Sequence, residues 1–235
     1  MDDDELGYSP QVDFRNNVLE RCYFEFDQSA DPPSSFPVTL KNNLFLRSTL
    51  TLTHVGSNFG EYDVHDNFFD NCTLYLDDQT TPPYEVYGLP ITAGNNGYTS
   101  SSATFGGSNN KTSISAVYET EPLGRYYYPT TGASNSLTNL IDAGSVTNAA
   151  LAGLFHYTTR TNTVESNSTL DIGYHYVGTD GGGILIDTDS DGLPDWFEDT
   201  NGDGSGANDA TDWESYESLN SLTGTTGLKV FTPLQ

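Results

Sequence analysis

The sequence predicts an all-β fold in which short parallel strands stack on one another. Three observations carry this expectation: a composition poor in helix formers, a gapless internal repeat, and period-2 alternation of apolar and polar residues inside that repeat. The 235 residues include 23 Gly, 11 Pro and 15 Tyr but a single Met. Gly and Pro interrupt helices, and Thr and Tyr suit strands. Only Val146–Leu154 and the turn around Asp195–Asp199 read as short helices.

The repeat sets the register. Segments 12–27, 38–53 and 62–77 superpose without gaps, with Asn16-Asn17, Asn42-Asn43 and Asp66-Asn67 at equivalent places. A weaker fourth copy runs from Ile91 to Tyr98. Read as columns, Phe14, Leu40 and Val64 align. So do Val18, Leu44 and Phe68; Phe24, Leu50 and Leu74; and Phe26, Leu52 and Leu76. Polar columns alternate with them, which predicts apolar-in, polar-out strands. One such rung cannot bury its own inner face, but stacked rungs can. The Asn column then falls at a bend, where each side-chain amide can bond to the next and hold a left-handed turn. On these residues, 10–100 resemble the right-handed parallel β-helix repeat proteins, and the resemblance implies that solenoid fold.

The cysteines test the register. Cys22, Ser48 and Cys72 share one column, so the two thiols lie two rungs apart, roughly 9–10 Å. A disulfide needs Cα atoms within about 7 Å. Two free, buried thiols packed as small core residues are expected.

The region 101–179 is less regular. Arg125-Tyr126-Tyr127-Tyr128-Pro129 reads as a satellite core or end cap, with stacking on a glycan as the alternative. Leu140-Ile141-Asp142-Ala143-Gly144 and Leu170-Asp171-Ile172-Gly173-Tyr174-His175-Tyr176 resemble the closing segment of secreted bacterial β-helix proteins. That resemblance implies that Asp142 and Asp171 bond backbone amides at turns and have structural roles.

Beyond the Gly181-Gly182-Gly183 hinge, carboxylates fall at Asp187, Asp189, Asp191, Asp195 and Glu198, with Gly192 between. Numbered from Asp187, these are positions 1, 3, 5, 9 and 12 with glycine at 6, the spacing of a calcium loop. Calcium takes six to eight hard oxygens, so alternate side chains on a tight turn converge on it. Leu193 can add its carbonyl and Glu198 a bidentate carboxylate. A second loop follows with Asp199, Asn201, Asp203 and Gly204. Its twelfth position is Ala210, so Asp209 or Asp212 must complete it. The incoming segment is not helical, and Pro194 removes a backbone donor, so a paired EF-hand is not expected. The stretch resembles the thrombospondin type 3 calcium repeats. Trp196 and Phe197 are expected to pack it onto the body. The expected organisation is 1–100 rungs, 101–179 closing segment, 180–220 calcium-binding repeats, and 221–235 linker with a C-terminal strand near Gly227–Leu234.

Charge narrows the function. Eight basic residues against 33 acidic ones give a formal net charge of −25, which repels nucleic acid. No apolar run is long enough to span a bilayer, and Met1–Glu5 is acidic where a signal peptide is basic. The leading expectation is a non-catalytic, calcium-stabilised structural or adhesive module of an extracellular or cell-surface protein. A polysaccharide-active enzyme competes with it, with Arg15, Lys41 and His65 in one column, Arg21 and Arg47 in another, and Glu20 and Asp70 alongside. A third expectation is self-assembly, by head-to-tail stacking or by addition of the C-terminal strand to an open edge.

Overall fold

The computed structural model describes residues 11–28, 37–54, 62–78, 91–99 and 103–216. The expected C-terminal strand at 227–234, its linker and the acidic first residues lie outside them.

Eleven strands come from the repeat. The first copy gives β1 (Val12–Arg15), β2 (Val18–Glu20) and β3 (Tyr23–Gln28). The second gives β4 (Val38–Lys41), β5 (Leu44–Leu46) and β6 (Thr49–His54). The third gives β7 (Tyr62–His65), β8 (Phe68–Asp70) and β9 (Thr73–Asp78), and the weak fourth copy β10 (Ile91–Gly94) and β11 (Gly97–Tyr98). They form three parallel sheets, ordered β1-β4-β7-β10, β2-β5-β8-β11 and β3-β6-β9. The pairing is the register of the sequence columns: Phe14↔Leu40↔Val64, Val18↔Leu44↔Phe68, Phe24↔Leu50↔Leu74 and Phe26↔Leu52↔Leu76.

One column behaves differently from the expectation. Leu40, Val64, Leu50 and Leu74 share a core with Phe45 and Phe69. Val18, Leu44 and Phe68 face the other side of their sheet and pack with Ile114, Tyr128, Leu137, Leu140 and Ile172. In these three-residue strands both faces are apolar, because the closing segment covers the outer one. The inner face carries a stack of Phe45, Phe69 and Tyr98, with ring centroids 5.1 and 5.3 Å apart. Leu76, expected inside, is 38% exposed.

The bends are held as the asparagine column requires. Asn43 Oδ1 accepts from the backbone N–H of Asn17 at 3.0 Å, Asn67 Oδ1 from Asn43 at 3.1 Å, and Asn96 Oδ1 from Asn67 at 2.9 Å. Asn110 Oδ1 continues the ladder to Asn96 at 2.9 Å. The preceding residues Asn16, Asn42, Asp66 and Asn95 all have φ between 51° and 61°. Asn and Asp tolerate that left-handed geometry better than most side chains. Three of these four also tie down the closing segment. Asn16 exchanges two hydrogen bonds with the His175 backbone, Asp66 accepts from the amide and hydroxyl of Ser145, and Asn95 donates to Ala143 O.

The closing segment adds two small antiparallel pairs, β12 (Glu119–Glu121) with β13 (Gly124–Tyr127), and β14 (Tyr157–Thr158) with β15 (Tyr176–Val177). Within Val146–Leu154 only Ala149–Ala152 is helical, a 3-10 turn that Asn148 caps by accepting from Ala150 N. Asp171 accepts from the Asp142 amide at 2.7 Å and from the Thr159 hydroxyl. Asp142 supplies that amide from a left-handed turn, φ 51°, with its own side chain exposed. The tyrosines form a satellite core: Tyr127 stacks on Tyr176 at 4.1 Å, and buried Tyr128 donates to Ile172 O at 2.7 Å. Both cysteines are free; Cys72 is buried and Cys22 half-buried. Burial pushes the Cys72 thiol up to about 11, so it packs as an apolar group. Among the described residues no helix is long and apolar enough to cross a membrane.

Candidate metal centre

Two acidic loops lie twelve residues apart and fold alike. In the first, Asp187 Oδ2 accepts from Gly192 N at 3.0 Å, Asp189 Oδ1 from Asp191 N at 3.1 Å, and Asp191 Oδ1 from Leu193 N at 2.8 Å. In the second, Asp199 Oδ2 accepts from Gly204 N at 2.7 Å, Asn201 Oδ1 from Asp203 N at 2.9 Å, and Asp203 Oδ1 from Ser205 N at 2.8 Å. Each of these side chains accepts from the turn that follows it, and Asp199 does so with both oxygens, its Oδ1 taking Asp203 N at 3.1 Å. Gly192 (φ 100°) and Gly204 (φ 77°) occupy the left-handed position at the sharpest point.

This arrangement brings carboxylates together. Asp187, Asp189 and Asp191 each offer an oxygen within 4.8 Å of the others, and so do Asp199, Asp203 and Asp209. Asp187 Oδ1 and Asp189 Oδ2 are buried without a hydrogen-bond donor. Loss of water contact raises the Asp189 carboxyl, and the Asp191 and Asp187 charges add to that. Anionic oxygens gathered at a turn with no donor between them suit a hard cation.

The remaining expected ligands stand as follows. Asp195 is buried and accepts from both the amide and the hydroxyl of Thr188, each at 2.7 Å. It therefore staples the loop's start to its end and lies outside the first trio. Leu193 gives its N–H to Asp191, which leaves its carbonyl as the possible ligand atom. Glu198 is buried on the one-turn helix α1 (Asp195–Glu198) and is not among the three converging acids. In the second loop Asp209, not Asp212, joins the cluster. Asp212 instead caps its own turn, accepting from Glu214 N at 3.1 Å.

The segment docks through residues with no motif to announce them. His156, from the closing segment, places Nε2 3.1 Å from Asp199 Oδ2 and Nδ1 3.8 Å from Asp195 Oδ2. Its ring packs edge-on against Phe155 and Trp213, at 4.9 Å each. Burial lowers the His156 pKa despite those two acids. Phe155 N donates to Gly202 O at 3.0 Å, and a Cβ on Gly202 would meet Gly153 O at 2.0 Å. Phe197, expected to anchor the segment, is 56% exposed; Trp213 packs against the body in its place. The docking side chains are spread over 155–213, and nothing in their local spacing marks them.

Apart from Arg21, the basic side chains of the enzyme reading are met by neighbouring acids. Lys41 pairs with Asp63 at 2.6 Å, His65 Nδ1 with the same carboxylate at 2.6 Å, and Arg15 with Asp13 at 2.8 Å. Glu20 takes Arg47, Arg125 at 3.6 Å and the Tyr126 hydroxyl at 2.9 Å. Asp70 accepts from Tyr118 at 3.0 Å.

No family model matches the chain, and neither a curated protein nor a solved structure is significantly similar to it.

Proposed function

We propose that the chain is a calcium-stabilised, non-catalytic structural or adhesive module of a secreted or cell-surface protein. In this reading the three parallel sheets are the faces of a right-handed β-helix, and two loops of the thrombospondin type 3 kind close its C-terminal side. The observation that carries it is the pair of converging acid clusters on loops that repeat the same hydrogen bonds twelve residues apart. Asp187, Asp189, Asp191, the Leu193 carbonyl and Glu198 would hold the first ion. Asp199, Asn201, Asp203 and Asp209 would hold the second.

Residues 187–203 carry seven carboxylates and no Lys or Arg. Calcium, when bound, supplies the positive charge that cancels their repulsion. At millimolar calcium and a Kd near 10⁻⁴ M, each site adds about 1.4 kcal/mol. That is small for a whole domain but decisive for a segment with little core. An extracellular setting provides calcium at that level.

Limited proteolysis with and without calcium tests the reading. The expected result is cleavage confined to the region after Ile186 when calcium is chelated, and protection when it is restored. An unchanged digestion pattern would refute it.

A further inference from the structure

The three parallel sheets all begin on the first copy of the repeat, so β1, β2 and β3 are edge strands at the same end of the stack. Among the described residues nothing pairs with their outer edges. Burial changes abruptly there. Val12, Phe14, Leu19, Phe24 and Phe26 are half-buried. Their counterparts one copy on, Val38, Leu40, Phe45, Leu50 and Leu52, are at most 1% exposed. Phe14, Phe24 and Phe26 touch one another, with ring centroids 5.7 to 6.3 Å apart, and make an aromatic plate at this end. The far end differs. Ser108 and Lys111 bridge to Gly94 and Gly97, and Asn110 extends the ladder past Asn96, so the chain itself lies on β10 and β11.

Open strand edges around an apolar plate favour a strand that covers them. The backbone of β1 says which strand fits. Val12 N and Asn16 N donate to Pro37 O and Lys41 O, on the β4 side. Alternate residues of a strand point their backbone groups to opposite neighbours, so those of Asp13 and Arg15 point to the open edge. A second β1, laid antiparallel and centred on Phe14, sets Asp13 opposite Arg15 twice. Each of those pairs can exchange both backbone hydrogen bonds. Centring on Asp13 or on Arg15 would set like charges opposite each other, and a one-residue slip would turn Phe14 to the polar face. Arg15 gives its Nε to Asp13 of its own chain at 2.8 Å, which leaves the Nη groups for the Asp13 across the junction.

We propose that this end binds a second copy of the chain, head to head about a twofold axis beside Phe14. The two β1 strands then pair, and the two aromatic plates meet across the axis. A head-to-tail contact would have to displace residues 108–111 from the far end. The head-to-head contact uses one surface twice and closes as a dimer, so no filament follows from it. The inference does not depend on the calcium reading.

Sedimentation velocity on the calcium-loaded full chain, over a series of concentrations in about 0.15 M salt to screen the net charge, tests it. A reversible equilibrium between monomer and dimer is expected. Asp13→Arg and Arg15→Asp each turn both symmetric pairs repulsive, and each alone should weaken dimerisation about tenfold. Mixed in equal amounts, the two variants should associate about as tightly as the parent, because each then faces its complement. Loss of fold could not produce that rescue, and the parent's own concentration series stands whether or not a variant folds. A monomer at every concentration, growth past the dimer, or a mixture no tighter than either variant alone would overturn the inference. So would a chain that dimerises only after residues 1–10 are removed, which would assign the face to that segment.

Discussion

Thr200 repeats, twelve residues on, the pair of hydrogen bonds that Thr188 makes. Thr188 gives its amide and its hydroxyl to Asp195, and Thr200 gives both of its own to Asp209. The chain between staple and partner is longer in the second loop, yet the loop closes the same way. The threonine after the first aspartate is thus the hinge pin of each acid cluster.

Removing that pin should loosen the cluster without touching a ligand. Thr188→Val keeps the shape and the amide but loses the hydroxyl bond to Asp195. Calcium affinity of the first loop should fall about three- to tenfold, a part of the ~1.5–3 kcal/mol of a hydrogen bond to a charged group, since the loop makes that bond without the ion as well. Isothermal titration of the variant beside the parent measures it, and Thr200→Val should act on the second loop alone.

The stacked columns predict core energetics. Leu50 is 1% exposed in the middle strand of β3-β6-β9. Leu50→Ala should cost about 2–5 kcal/mol by leaving a cavity between Phe24 and Leu74. Chemical denaturation should show the loss as a lower midpoint.

The asparagine ladder predicts a separate, polar cost. Asn43 is fully buried, accepts from the Asn17 amide, and donates to Phe14 O at 2.8 Å and Asn67 Oδ1 at 2.9 Å. Asn43→Leu has a similar volume but strands several of those groups. Each one left unmet costs about 1–3 kcal/mol, so the polar change should rival the Leu50 cavity. The two denaturation midpoints compare them directly.

The parallel strands were legible because their signal is repetitive: Phe14, Leu40 and Val64 occupy one phase, and the Asn pairs fix the origin of each copy. The outward column of Val18, Leu44 and Phe68 was misplaced for a physical reason. Alternation assigns one face to the core, but a strand covered on both sides is apolar on both. What covers it, Leu137, Leu140 and Ile172, lies far along the chain in an irregular segment. The first acid trio was visible from the one-three-five spacing. The roles of Asp195, His156 and Trp213 were not, since a staple and a docking contact depend on partners brought close only by folding.

A buried acid–base group predicts how stability follows pH. His175 is fully buried with Nε2 3.3 Å from Glu165 Oε1. Burial opposes its charge, but Glu165 and Asp171 prevail and raise its pKa. Burial and the Glu165 charge push Asp171 up to about 7. Both groups hold protons more tightly folded than unfolded. Their contribution is present at acid pH and is lost as pH rises through the folded values. Glu165, which His175 holds low against burial, and His156, which burial lowers, pull the other way, so the contribution of Asp171 is read in chelator, from about pH 4 to about pH 7, as the difference in melting temperature between parent and variant. Asp171→Asn is that variant: it keeps an acceptor for the Asp142 amide, and the parent's advantage over it should shrink across that range.

Titration of calcium into chelator-treated full chain, followed by calorimetry and by thermal melting, tests the central claim most directly. The account predicts saturable heat from two sites with affinities near 10⁻⁴ M, and a rise in melting temperature that tracks occupancy. Absence of both heat and thermal shift at millimolar calcium would contradict it.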